Sequence, residues 1–151
     1  MIQRPQTLCL LGVITCFIAS FFFPIWTAGS EGYAFVLNTF SFSGPDVEQN
    51  TWYISAACIL ISAIALFSIF SFKNRKLQIR LGMLNSLLIT LYMVLMFTVI
   101  VPGCREYATL KLNGSYGVGM YLPILALLFN IAANILVKRD EKLVRSMDRF
   151  R

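Results

Sequence analysis

Charged positions divide this chain into blocks, and the blocks outline its architecture. After Arg4 no charge occurs until Glu31, and further uncharged stretches run over 49–72, 81–104 and 112–137. A helix rises 1.5 Å per residue, so about 20 residues cross a hydrocarbon layer roughly 30 Å thick. Helices are required there because backbone amides in lipid must bond to one another. The pattern predicts four spans with apolar cores at 8–23, 52–72, 81–101 and 120–137. The first resembles a signal peptide, but the bulky run Phe21-Phe22-Phe23-Pro24 suits peptidase cleavage poorly, so it is read as a retained helix. The whole chain, 1–151, then forms one four-helix transmembrane domain.

Basic residues set the expected orientation. With both termini and the middle loop on one side, that side holds Arg4, the group Lys73, Arg75, Lys76 and Arg80, and six more from Lys138 to Arg151. The other side holds only Arg105 and Lys111. By the positive-inside rule both termini are cytoplasmic. Trp26, Trp52 and Tyr53 are then expected at the outer interface, where amphipathic rings settle. The tail 138–151 places Leu143, Val144, Met147 and Phe150 on one stripe, a cytoplasmic amphipathic helix suited to anionic headgroups or to a partner protein.

Two segments between the spans face outward. Tyr33 to Ser43 is rich in aromatic and β-branched residues and ends at the turn signal Gly44-Pro45. Asn113-Gly114, between the runs 107–112 and 115–118, favours a type I′ hairpin, since both central residues must take positive φ. The first segment is expected to add one or two strands. The fold class is therefore an all-α integral membrane protein with a small extracytoplasmic antiparallel β element.

Within the spans, small residues recur every four positions: Gly12, Cys16 and Ser20 in the first, Gly82, Ser86 and Thr90 in the third. Such stripes let helix backbones approach closely, within the bundle or between copies of it. Asn130 and Asn134 share a face of the fourth helix. Counted from the span limits, Asn134 and Asn85 lie at matching depth, so a hydrogen bond between these helices is geometrically available. A structural clamp and a polar solute site both fit these amides, and the clamp is the simpler reading.

Composition narrows the chemistry. The chain is 58% apolar and 13% charged, with a net charge of +6 and no histidine. Soluble domains carry about a quarter charged residues, so this one lacks the charge to cover a water-facing surface. No Asp, Glu, Lys, Arg or His lies within a span, whereas proton-coupled carriers typically need such groups. The four cysteines form no Cys-x-x-Cys and there is no glycine-rich phosphate loop. No enzymatic activity, cofactor, metal or nucleic-acid partner is expected. What remains is a non-enzymatic scaffold or accessory subunit of an envelope complex, or an oligomeric channel or carrier for a small neutral solute. The expected partners are the lipid bilayer and either a membrane protein or a second copy of the chain.

The two ends add a resemblance. Met1-Ile2-Gln3-Arg4 followed by Gln6-Thr7-Leu8, together with the closing run from Asp140 through Leu143, Met147 and Asp148 to Arg151, resembles the bacterial family known as domain of unknown function 4293. Pro5 and Phe150 depart from its usual residues. The resemblance implies a small four-span protein of the Bacteroidetes type in the bacterial cytoplasmic (inner) membrane. It implies no activity, substrate or catalytic residue.

Overall fold

A computed structural model describes residues 5–30, 33–45, 48–72, 74–107 and 114–148. Helix α1 spans Pro5–Ala19, α2 Trp52–Phe70 and α3 Arg75–Leu95. The last continues through a π-helical turn, Met96–Ile100, into α4, Val101–Tyr107, and α5 spans Val118–Asp148. α1 packs on α2, α2 on α3, α3 on α5 and α5 back on α1, a closed ring of four antiparallel neighbours. At one end of the bundle α1 leads into a sheet and α2 leaves it, which is the sheet end. At the other, the short connection between α2 and α3 marks the loop end.

Three of these helices, Trp52–Phe70, Arg75–Cys104 and Val118–Leu143, are long and apolar enough to cross a membrane, whereas Pro5–Ala19 is shorter. The expected core 8–23 is therefore displaced, and proline explains where the helix stops. The carbonyl of Ser20 would meet the N–H of residue 24, but Pro24 has none. Its oxygen instead accepts from Thr39 Oγ1 at 2.7 Å, while Phe21 and Phe22 close tight turns onto Ile18 and Ala19. Pro102 likewise leaves Thr98 without its usual donor. The chain widens there, and the Val101 N–H reaches back five residues to the Met96 carbonyl.

The sheet has five antiparallel strands in the order β4-β3-β2-β1-β5. They are β1, Trp26–Ser30, β2, Tyr33–Leu37, β3, Ser41–Ser43, β4, Glu48–Asn50, and β5, Gly114–Tyr116. The register sets Trp26 opposite Leu37 and Ala28 opposite Phe35, with Leu37 opposite Phe42. Side chains alternate across a sheet, so these five share one face, and all five are buried. Phe35 and Phe42 stack with centroids 6.1 Å apart. On the other face Thr27 and Ser115 hydroxyls lie 3.2 Å apart.

Several expectations change here. The first connecting segment supplies four strands rather than one or two. The stretch 108–113, with the Asn113-centred turn, lies outside the described residues. Tyr107 belongs to a helix, and Gly114 opens a strand whose partner is β1. Trp26 is not in an exposed aromatic belt; it is 1% exposed beneath the sheet, whereas Trp52 is 67% exposed. The first eleven tail residues, 138–148, continue α5, which runs unbroken to Asp148.

The interior changes character along its length. Toward the sheet end it holds Phe17, Ile54, Tyr92, Met96 and Val101, and toward the loop end Gln6, Ser68, Gln78, Asn85 and Asn130. The outside of the helices is apolar. Leu8, Phe70, Leu87, Leu128 and Ile135 are among its exposed large side chains.

Candidate functional site

Asn130 is the hub of the loop-end interior. It is wholly buried on a helix whose rotation also buries Ala126, Ala133 and Val137. Its Nδ2 donates to the Gly82 carbonyl at 2.9 Å and to Ser86 Oγ at 2.7 Å. Its Oδ1 accepts from Asn85 Nδ2 at 3.4 Å. One amide thus joins three residues on two successive turns of α3. In apolar surroundings such contacts return roughly 1 kcal/mol each, while an unpaired amide costs more.

Asn134 does not pair with Asn85. It sits one turn from Asn130 toward the loop end, pressed against Gly82, where a β-carbon would collide with its amide. Asn85 meets Asn130 instead, because Arg75 of α3 lies level with Asp140 of α5, about one turn away from the alignment that the charge-based span limits Leu81 and Val137 suggest. The Arg75 guanidinium closes this end by donating to the Asp140 carbonyl at 2.8 Å.

The two small-residue stripes have divided fates. Gly12 lets the Phe129 ring of α5 lie against α1, with 3.0 Å from its would-be β-carbon to the ring. Cys16 is buried. Ser20 Oγ donates to the Phe17 carbonyl and lies 3.9 Å from Cys58 Sγ. Gly82 and Ser86 serve the contact with α5. Thr90 faces outward and donates to the Ser86 carbonyl of its own helix, so it does not extend the contact.

Two groups of residues went unread in the sequence. At the sheet end, Thr39 Oγ1 holds the Ser20 carbonyl while its own carbonyl accepts from Ser55 Oγ at 2.8 Å. Thr51, before α2, bonds through its N–H to the Phe40 carbonyl at 2.9 Å. This knot ties α1, the sheet and α2 together. Its sequence signal is faint: threonine in a strand-rich segment, and a proline four residues after Ser20. At the loop end Gln6, Ser68 and Gln78 are buried, though they stand near charged residues and read as interfacial. Asn85 Oδ1, Gln78 Oε1, Ser68 Oγ and Trp26 Nε1 have no hydrogen-bond partner.

Among the described residues no three His, Cys, Asp or Glu side chains gather as a metal site would need. An apolar groove of about 140 Å³ runs between α2 and α3, lined by Tyr53, Ala57, Leu60, Leu91, Tyr92 and Leu95 among others. It offers shape without reactive groups. The chemistry of the arrangement is therefore hydrogen bonding by neutral amides and hydroxyls.

A model of the family described as Domain of unknown function (DUF4293) matches residues 2–150. No curated protein matches the chain.

Proposed function

The chain belongs to the DUF4293 family, a membership that carries no activity, and on its own geometry we propose that it is a membrane-embedded, non-enzymatic scaffold or accessory subunit of an envelope complex. The observation that carries this reading is the use made of Asn130: its hydrogen bonds all go to α3, so this wholly buried amide holds helices together. The supporting chemistry is spatial. Large apolar side chains cover the outside of the helices, as lipid contact requires and water does not tolerate over so wide a patch.

In this reading the four helices cross a bacterial cytoplasmic membrane and the termini are cytoplasmic, following the basic residues. The sheet lies on the outer side, where its free face, with Thr27 and Ser115, is offered to a partner. Crosslinking in native membranes, then purification in mild detergent and mass spectrometry, tests this. A reproducible partner contacting the sheet or the tail is expected. Repeated recovery of the isolated chain alone counts against it.

The carrier reading is less well supported. Between the loop-end amides and the buried hydroxyls of Ser20, Thr39, Thr51 and Ser55 at the sheet end, the apolar side chains Val13, Phe17, Ile61 and Ile89 interrupt the bundle axis. Liposomes carrying the chain are expected to pass glycerol no faster than empty ones. A flux abolished by Asn130→Leu would reverse the order of the two readings.

A further inference from the structure

Three helices turn a buried polar side chain inward at the loop end: Gln6 on α1, Ser68 on α2 and Gln78 on α3. Ser68 stands three residues before Ser71, which caps α2. Gln78 stands four residues after Asn74, which caps α3. In adjacent antiparallel helices these positions are level to within about one residue's rise of 1.5 Å. The two side chains are 2% and 3% exposed. Ser68 Oγ and Gln78 Oε1 are both without a hydrogen-bond partner.

Ser68 lacks a bond that five other hydroxyls of these helices make. Thr15, Ser62, Ser71, Thr90 and Thr98 each donate to the carbonyl four residues earlier, the usual refuge of a hydroxyl in apolar surroundings. Ser68 forgoes that bond although it is the most deeply buried of the six. Leaving a buried hydroxyl and a buried amide oxygen unpaired at one level is costly twice over. The side chains that mark this level are neutral, and the cation beside it, Arg75, one turn before Gln78, is engaged with the Asp140 carbonyl. The level is also blind, because Leu10, Val13, Ile61 and Ile89 close the bundle axis toward the sheet.

We propose that the loop-end interior between Ser68 and Gln78 is a binding site for a small uncharged molecule that has both a donor and an acceptor. The molecule donates to Gln78 Oε1 and accepts from the Ser68 hydroxyl. Water fits this chemistry, and so does a small alcohol or amide entering from the loop end. The site is separate from the Asn130 hub and does not depend on the scaffold reading.

The test uses the full chain in detergent, with Ser68→Ala, Gln78→Leu and the double variant compared by thermal unfolding. With a bound molecule, each single replacement strands the other group, so each lowers Tm by several degrees. The double variant then falls by less than the sum. A rise in Tm with each single replacement overturns the proposal, since apolar substitution would then be relieving two merely unpaired groups. Strictly additive losses overturn it too.

A measurement on the unaltered chain guards against variants that fail to fold. In bilayers, with glutamine side chains labelled, rapid magnetisation transfer from water to Gln78 identifies the molecule as water. A rise in Tm with formamide or ethylene glycol, absent in the double variant, identifies a solute. The absence of both effects, or a rise with sodium or potassium chloride alone, overturns the uncharged site.

Discussion

Thr39 shows how a single hydroxyl substitutes for a missing backbone donor. Pro24 deprives the Ser20 carbonyl of its helical partner, and Thr39 Oγ1 takes that place at 2.7 Å in a buried setting. Valine matches threonine in shape but cannot donate. Thr39→Val should therefore leave the carbonyl unpaired and cost about 1–3 kcal/mol, read as a lower midpoint in thermal unfolding. Thr39→Ser keeps the donor and should lose clearly less. Equal losses in the two variants would show that the methyl group, not the hydrogen bond, carries the effect. No such exchange is available to the exposed hydroxyls of Thr15, Thr90 and Thr98, which bond within their own helices. Their replacement by valine should be close to neutral.

Helix contacts are decided by two glycines that behave differently. At Gly82 a β-carbon would strike the Asn134 amide, while at Gly12 it would meet the edge of the Phe129 ring at 3.0 Å, a contact a small ring shift relieves. Alanine gains about 1 kcal/mol over glycine in helix propensity, and overpacking costs about 1–3 kcal/mol. Gly12→Ala should thus be near neutral and Gly82→Ala destabilising by about 1–2 kcal/mol. In an Asn134→Ala background the collision is gone, so Gly82→Ala should become stabilising. A loss that persists in that background would place the strain elsewhere. The same contact shows what the sequence could and could not disclose. The gaps between charges located the helices, and the four-residue spacing put Asn130 and Asn134 on one face. They could not fix the level, since the charge-based limits Leu81 and Val137 suggest an alignment about one turn away from the one that sets Arg75 level with Asp140. The strands were partly legible in the aromatic run from Tyr33. Their number was not, because three-residue strands such as Ser41–Ser43 and Glu48–Asn50 carry too little alternation to stand out. Ser68 and Gln78 were unreadable for a related reason: polar residues beside a loop look solvated until neighbouring helices close over them.

On the scale of the whole molecule, the short first helix decides how the protein would sit in lipid. Fifteen residues rise about 22 Å, less than the roughly 30 Å of hydrocarbon, so in the four-span reading the turn after Ala19 would have to complete the crossing. Phe22 and Phe23 in that turn are exposed, which suits a position just below the headgroups and brings the sheet down onto the interface. Trp52, at the same end of the bundle, is 67% exposed, whereas Trp26 is sealed beneath the sheet at 1%. The chain has only these two tryptophans, so its fluorescence reports on both positions. In bilayers of lipids brominated near the headgroup, emission from the unaltered chain should be partly quenched. Trp52→Phe, which leaves Trp26 as the emitter, should remove most of the quenchable signal. Its remaining emission should lie toward the blue, as expected of an indole shielded from water. An unquenched native chain would contradict the membrane reading itself. Undiminished quenching in Trp52→Phe would instead mean that lipid reaches Trp26, and with it that the sheet does not close over the bundle when embedded.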